Sequence, residues 1–179
     1  MQAREIRMES LGHPRLTDGM TTLSTANAAV AIGAAIAAGF LFAFSALVMP
    51  ALDERPGEDA IGAMQAINRH AMSTPFMLVL FGTALAAIVV AVWSLVSRSP
   101  GTPWAIAGVL VLWLTAVLLS GIVNIPLNNA LALLPAVVPD AGTVWAQYSS
   151  PWTLANHGRA FGSAIAAVAF AIAALRSAT

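Results

Sequence analysis

Between Asn27 and Val48 the chain carries no charged side chain. At a rise of about 1.5 Å per residue, that run is long enough to cross a hydrocarbon layer of about 30 Å. Pro75 to Val96 and Trp104 to Val123 repeat the pattern, and Phe161 to Leu175 completes it if the crossing also draws on Leu154 to Ala160. Backbone placed in lipid must satisfy its own hydrogen bonds, so such runs fold as helices. Four of them predict an all-α, integral membrane four-helix bundle. The composition agrees, because 59% hydrophobic and only 9% charged residues leave too little polar surface for a soluble domain of 179 residues.

The connections between the runs differ. Arg98, Ser99, Pro100 and Gly101 make a turn so short that spans two and three must form a hairpin. Asp53 to Ser73 reads as an amphipathic interfacial helix between spans one and two. Pro56 and Gly57 mark its turn, Glu58 and Asp59 suit its positive end, and Ile61, Met64, Ile67 and Ala71 line its apolar face. A long polar and aromatic loop is expected between spans three and four. This places the spans near 27–48, 75–96, 104–123 and 155–175 in one membrane domain, 26–179. Residues 1–25 are mixed in charge, lack the apolar core of a signal peptide, and are expected to be a disordered tail. Within the first span, Ala31, Ala35, Gly39 and Ala43 recur every fourth residue and offer a face for close helix approach.

Arg4, Arg7, Arg15, Arg98 and Arg176 fall on one side of this topology and Arg55, Arg69 and Arg159 on the other. The arginine-rich side is normally cytoplasmic, so both termini are expected to face the cytoplasm. Eight basic and eight acidic residues leave no net charge to attract nucleic acid. Cysteine is absent, His13, His70 and His157 are far apart, and no glycine-rich phosphate loop occurs, so no metal or cofactor site is read from the chain. No carboxylate lies inside a span, which argues against a pump working through acidic relays.

The scarce polar groups concentrate between Asn124 and Arg159. Asn124, Asn128 and the neighbouring Pro126 bring carboxamides and unpaired backbone groups to one depth, either as a mutually satisfied knot or as groups that orient an oxygen-bearing ligand. Trp145, Tyr148 and Trp152, spaced by three and four, fit an aromatic belt at the headgroups or a stack around a planar molecule. Asn156, His157 and Arg159 lie within one helical turn. Arg159 either reaches up to headgroups or points inward as a fixed positive charge, and His157 is the residue there that titrates nearest neutrality, hence the default base. Gln65 and Asn68, one turn apart on the amphipathic segment, either face water or line a pocket over the bundle.

Taken in order, GFLFAFSALVMPAL (39–52), MQAINR (64–69), NIPLNNAL (124–131), WAQY (145–148) and WTLANHGR (152–159) resemble the bacterial DUF1772 proteins, which group with the fungal anthrone oxygenases. The likeness runs from about Gly33 to Leu175. It implies a four-helix integral membrane fold in a bacterial cytoplasmic membrane. It also implies oxidation of an anthrone to an anthraquinone by oxygen without an evident metal or flavin. Carried onto matching positions, it gives the site to Asn124, Asn128, Asn156 and Arg159, with Gln65 and Asn68 contributed from the amphipathic segment. Two functions are therefore expected to compete: a cofactor-independent oxygenase taking a lipophilic polycyclic phenol or anthrone from the bilayer, and a non-enzymatic structural or lipid- or quinone-binding protein.

Overall fold

The computed structural model describes residues 14–71 and 75–178, with side chains from Thr22 onward apart from Phe76. Among these residues there are helices and turns and no strand. Helix α1 (Pro14–Ala43) passes through a π-helical turn (Phe44–Val48) into α2 (Met49–Asp53). After a tight turn come α3 (Gly57–Ala71) and α4 (Pro75–Val96). A third rod runs through α5 (Thr102–Leu112), two π-turns (Trp113–Leu118 and Ser120–Asn124) and α6 (Ile125–Ala132). The fourth is α7 (Ala141–Ser177). Four stretches are long and apolar enough to cross a membrane, namely Thr22–Asp53, Met77–Val96, Thr102–Ala132 and Ala141–Ser177. The molecule is an integral membrane four-helix bundle.

Neighbouring rods pack as a ring, α1 on α4, α4 on α5, α5 on α7 and α7 back on α1, with α1 and α7 sharing the longest contact. Their antiparallel register is pinned at both ends. Ser24 Oγ donates to the Ala174 carbonyl at 2.8 Å, and Asn156 Nδ2 donates to the Leu41 carbonyl at 2.7 Å. Lipid is as apolar as a leucine side chain, so burial does not drive these helices together. Close backbone approach and dispersion must do so instead. Accordingly the core near the chain termini is made of Ala37, Ala87, Ala105, Ala166 and Ala173, with Phe170 and Leu112 as its large members. Phe170 lies where a β-carbon on Gly108 would sit, 2.8 Å from its ring, and the Thr115 side chain occupies the corresponding space at Gly162. The expected small-residue stripe meets this interface only in part. Ala31 is buried in the core and Ala43 is half-buried, but Ala35 and Gly39 are exposed, and the buried face of α1 is Val30, Ala31, Ala34, Ala37, Ala38 and Leu41.

Only α4, at 22 residues and about 33 Å, matches one hydrocarbon thickness. The other three rods continue past its Pro75 end and build a second core from Met49, Leu52, Ile61, Met64, Leu131, Trp145, Tyr148 and Trp152. Helix α3 belongs to this core. Gly57 abuts the backbone of Ala141 and Gly142, and Gln65 bonds the end of α6. The amphipathic face expected on the lipid interface therefore rests on α7 and α6, because Ala60, Ile61 and Met64 find a helical surface there.

Three boundaries differ from expectation. Pro14 to Thr25, assigned to the disordered tail, is helical, since Pro14 suits a first helical turn and Leu23 and Ser24 already pack on the bundle; residues 1–13 lie outside the described residues. The long loop between spans three and four shrinks to residues 133–140. Pro135 and Pro139 stop α6 from continuing, and Asp140, at φ 54°, turns the chain into α7. Trp145, Tyr148 and Trp152 thus stand on a helix, and Pro151 is accommodated on its exposed side.

Candidate functional site

Two prolines shape the site. A proline inside a helix lacks an N–H, and its ring collides with the carbonyl four residues back, so the preceding turn must widen or kink. Both rods widen. Met49, before Pro50, bonds five residues back to Phe44, and Ile125, before Pro126, bonds five residues back to Ser120. Such π-turns shift the register of the side chains they contain and are frequent at functional sites. Here they turn Ser45 and Asn124 into the bundle, where each is buried.

Helix α7 supplies the facing residues. Trp145, Trp152, Asn156, Arg159 and Ser163 fall at spacings of three, four and seven and are all buried on one face. Asn128 Oδ1 accepts from both Tyr148 Oη and Trp152 Nε1, at 2.8 Å each. Asn124 Nδ2 donates to the Trp152 carbonyl at 3.1 Å. Asn156 Nδ2 donates to Ser45 Oγ and to the Leu41 carbonyl, and its Oδ1 accepts from Arg159 Nη1 at 3.1 Å. The rings of Phe44 and Trp152 pack with centroids 5.3 Å apart, and Trp145, Tyr148 and Trp152 form a continuous aromatic row.

Three polar atoms in this region are buried with no hydrogen-bond partner: Asn124 Oδ1, Arg159 Nε and Ser163 Oγ. Arg159 is 8% exposed, and the ion pair formed among the described residues is the exposed Arg55–Asp59 contact, so no carboxylate answers its charge. An unpaired buried cation costs several kcal/mol, roughly, unless something else compensates it. The arrangement can accept a negatively charged or strongly hydrogen-bonding oxygen beside Arg159 and a donor beside Asn124.

The structure brings together most of the expected residues. Asn124, Asn128, Tyr148 and Trp152 form one hydrogen-bonded group, and Asn156 and Arg159 form a second one turn further along α7, the two making up the cluster. Asn68 stands beside the Tyr148 hydroxyl. Gln65 is engaged elsewhere, donating to the Leu131 and Leu134 carbonyls at the end of α6, where a helix leaves such groups orphaned. Trp145 Nε1 donates to Asp53 Oδ1 at 2.7 Å, outside the cluster. His157 is half-buried, and two residues of helix put it about 160° around α7 from Arg159. Ser45 joins Asn156, and Ser163 lies one turn from Arg159 on the same face of α7; neither is among the expected residues. For Ser45 a signal existed, a polar residue five positions ahead of Pro50, as Asn124 stands two ahead of Pro126; Ser163 sits among small residues and had none.

Fold and site together define a four-span membrane protein with an uncompensated cation and a carboxamide cluster near one end of its bundle. The family model described as anthrone oxygenase matches residues 64–169, and the chain belongs to that family. No curated protein and no solved structure matches the chain.

Proposed function

We propose that the protein is a cofactor-independent oxygenase acting on a lipophilic polycyclic phenol or anthrone that enters from the bilayer. Its termini face the cytoplasm. The observation that carries the proposal is Arg159, buried without a counter-ion and with Nε unpartnered, beside an asparagine cluster with an unmet acceptor. An anthrone's enol tautomer is a phenol, and its oxygen ionises more readily against a guanidinium in a low-dielectric site. The resulting carbanion-like ring is electron-rich enough to reduce oxygen directly. One electron passes to O2, the radical pair joins as a carbon-bound peroxide, and protonation gives the hydroperoxide. Loss of water, taking the remaining hydrogen from that carbon, leaves the ketone, so anthrone plus O2 gives anthraquinone plus H2O. Asn124 and Asn156 orient the substrate, and Trp152 and Tyr148 flank it. In this account His157, on the far side of α7, is not the base, and the phenolic proton leaves to water.

Oxygen uptake by the purified protein with a panel of anthrones, in the presence of a chelator, tests it. Wild type is expected to exceed the spontaneous rate, Arg159→Ala to lose roughly 100-fold, the scale of one lost electrostatic stabiliser, and His157→Ala to stay within a few-fold. Uptake no faster than background, or full activity in Arg159→Ala, would overturn it. A second, non-enzymatic reading draws on the internal pairing of Asn128, Gln65 and the Asn156 amide, which serve the fold without any ligand.

A further inference from the structure

A serine in the middle of a helix ordinarily donates to the carbonyl four residues back. Thr115 does so to Val111, and Ser120 does so to Ala116. Ser163 does not. Its Oγ is fully buried and has no partner, although the helix offers it the Arg159 carbonyl. Arg159 shows the complementary anomaly one turn away on the same face, where side chains four apart come within about 5–6 Å at their β-carbons. Its Nη1 is held by Asn156 Oδ1, while Nε, on another edge of the guanidinium, is unpartnered. Two adjacent donors, one of them cationic, are thus withheld from the protein's own acceptors. Asp53, Glu54, Glu58, Asp59 and Asp140, the acidic residues whose side chains are described, are all exposed, so none of them supplies the missing acceptor.

We propose that Arg159 Nε and Ser163 Oγ form a two-donor pocket for a single ring-borne phenolate oxygen. Arg159 contributes charge and one hydrogen bond, and Ser163 contributes a second hydrogen bond that fixes where the oxygen sits. Asn124 Oδ1, the unmet acceptor of the cluster, receives a hydroxyl on the same ligand. The proposal refines the oxygenase reading of this site by assigning the ligand's charged atom to named donors. It concerns binding and ionisation, which need no turnover.

The test uses 1-hydroxyanthraquinone, a coloured phenol that is already oxidised and so cannot react onward, with the full-length protein in detergent. Its visible band moves to longer wavelength on ionisation, so a pH titration reads the ionisation midpoint of the bound probe. In wild type that midpoint is expected at least one pH unit below its value in empty micelles. Ser163→Ala, which removes one oxygen atom and creates no clash, is expected to return the midpoint by roughly one unit, the tenfold effect of a hydrogen bond to a charged oxygen. Arg159→Ala is expected to abolish the shift. Thermal unfolding of each variant confirms that the bundle has formed. A probe that fails to bind wild type, or binds with an unshifted midpoint, overturns the pocket, and an unchanged shift in Ser163→Ala removes Ser163 from it. If the shift is present and depends on both residues while anthrones elicit no oxygen uptake, the pocket stands and the oxygenase reading falls. A tailed hydroquinone that displaces the probe more tightly than an anthrone identifies the ligand as a membrane quinol.

Discussion

The half of the bundle near the termini and the half that carries the cluster are held together by different physics. Near the termini, alanines and glycines let the helices approach until backbone meets side chain, as Gly108 meets Phe170 and Gly101 meets Ser177. At the other end, aromatic rings keep the helices apart, and hydrogen bonds from carboxamides and indoles set their positions. Close packing strands only small neutral groups there, Ser94 Oγ and Asn27 Oδ1, and no buried cation, so that half supplies rigidity. A hydrogen-bonded half in which some groups are satisfied and others are not is where a ligand gains most.

The sharpest way to break this comparison is to enlarge a glycine. Gly108→Leu drives a side chain into the space Phe170 occupies and is expected to cost about 3 kcal/mol or more, seen as a large fall in thermal stability in detergent. Gly39→Leu, on the exposed face of α1 where nothing lies within 4 Å of a β-carbon, is expected to leave stability unchanged. A gain at both positions would show that helix propensity rather than interhelical fit decides stability here. In the other half the corresponding test is Asn128→Leu, which leaves the Tyr148 hydroxyl and the Trp152 indole without their shared acceptor. Two such orphans cost about 2–4 kcal/mol together. A loss under 1 kcal/mol, roughly, would mean that ordered water replaces Asn128.

This division also explains what could be read from the residues alone. The four spans were legible because lipid leaves a backbone no choice but helix, and the cluster was legible because Asn124, Asn156 and Arg159 stand out against an apolar chain. The helical state of Ala141 to Leu154 was hidden by Ser149, Ser150 and Pro151, which imitate a loop; only Ser149 is buried, while Ser150 and Pro151 face outward, where a helix tolerates them. The interface of α1 was misread because small residues are so frequent there that a four-residue spacing carries no directional information. Which side of α7 faces α1 decides that Arg159 enters the cluster and His157 does not. That depends on the Leu41 and Ser45 contacts of Asn156, over 100 residues away in sequence, and on a widened turn that local patterning does not reveal.

The smallest effect is expected at Asn27, and it tests the comparison from the other side. Like Asn124 it is a fully buried asparagine with an unpartnered Oδ1. Unlike Asn124, its amide bonds only the Leu23 carbonyl of its own helix, joining no neighbouring rod. Asn27→Leu removes an unmet acceptor and adds apolar contact in the close-packed half, two effects that oppose the strain of a slightly larger side chain, so the net change should lie within about 1 kcal/mol. Asn124→Leu severs the bond to the Trp152 carbonyl and removes the acceptor proposed for a ligand hydroxyl, so besides destabilising the bundle it should weaken binding of a dihydroxyanthraquinone, whose second hydroxyl it would receive, roughly tenfold. If Asn27→Leu weakened that binding as much as Asn124→Leu, the two ends would be coupled through the alanine core, and the separation between a rigid half and a reactive half would be wrong.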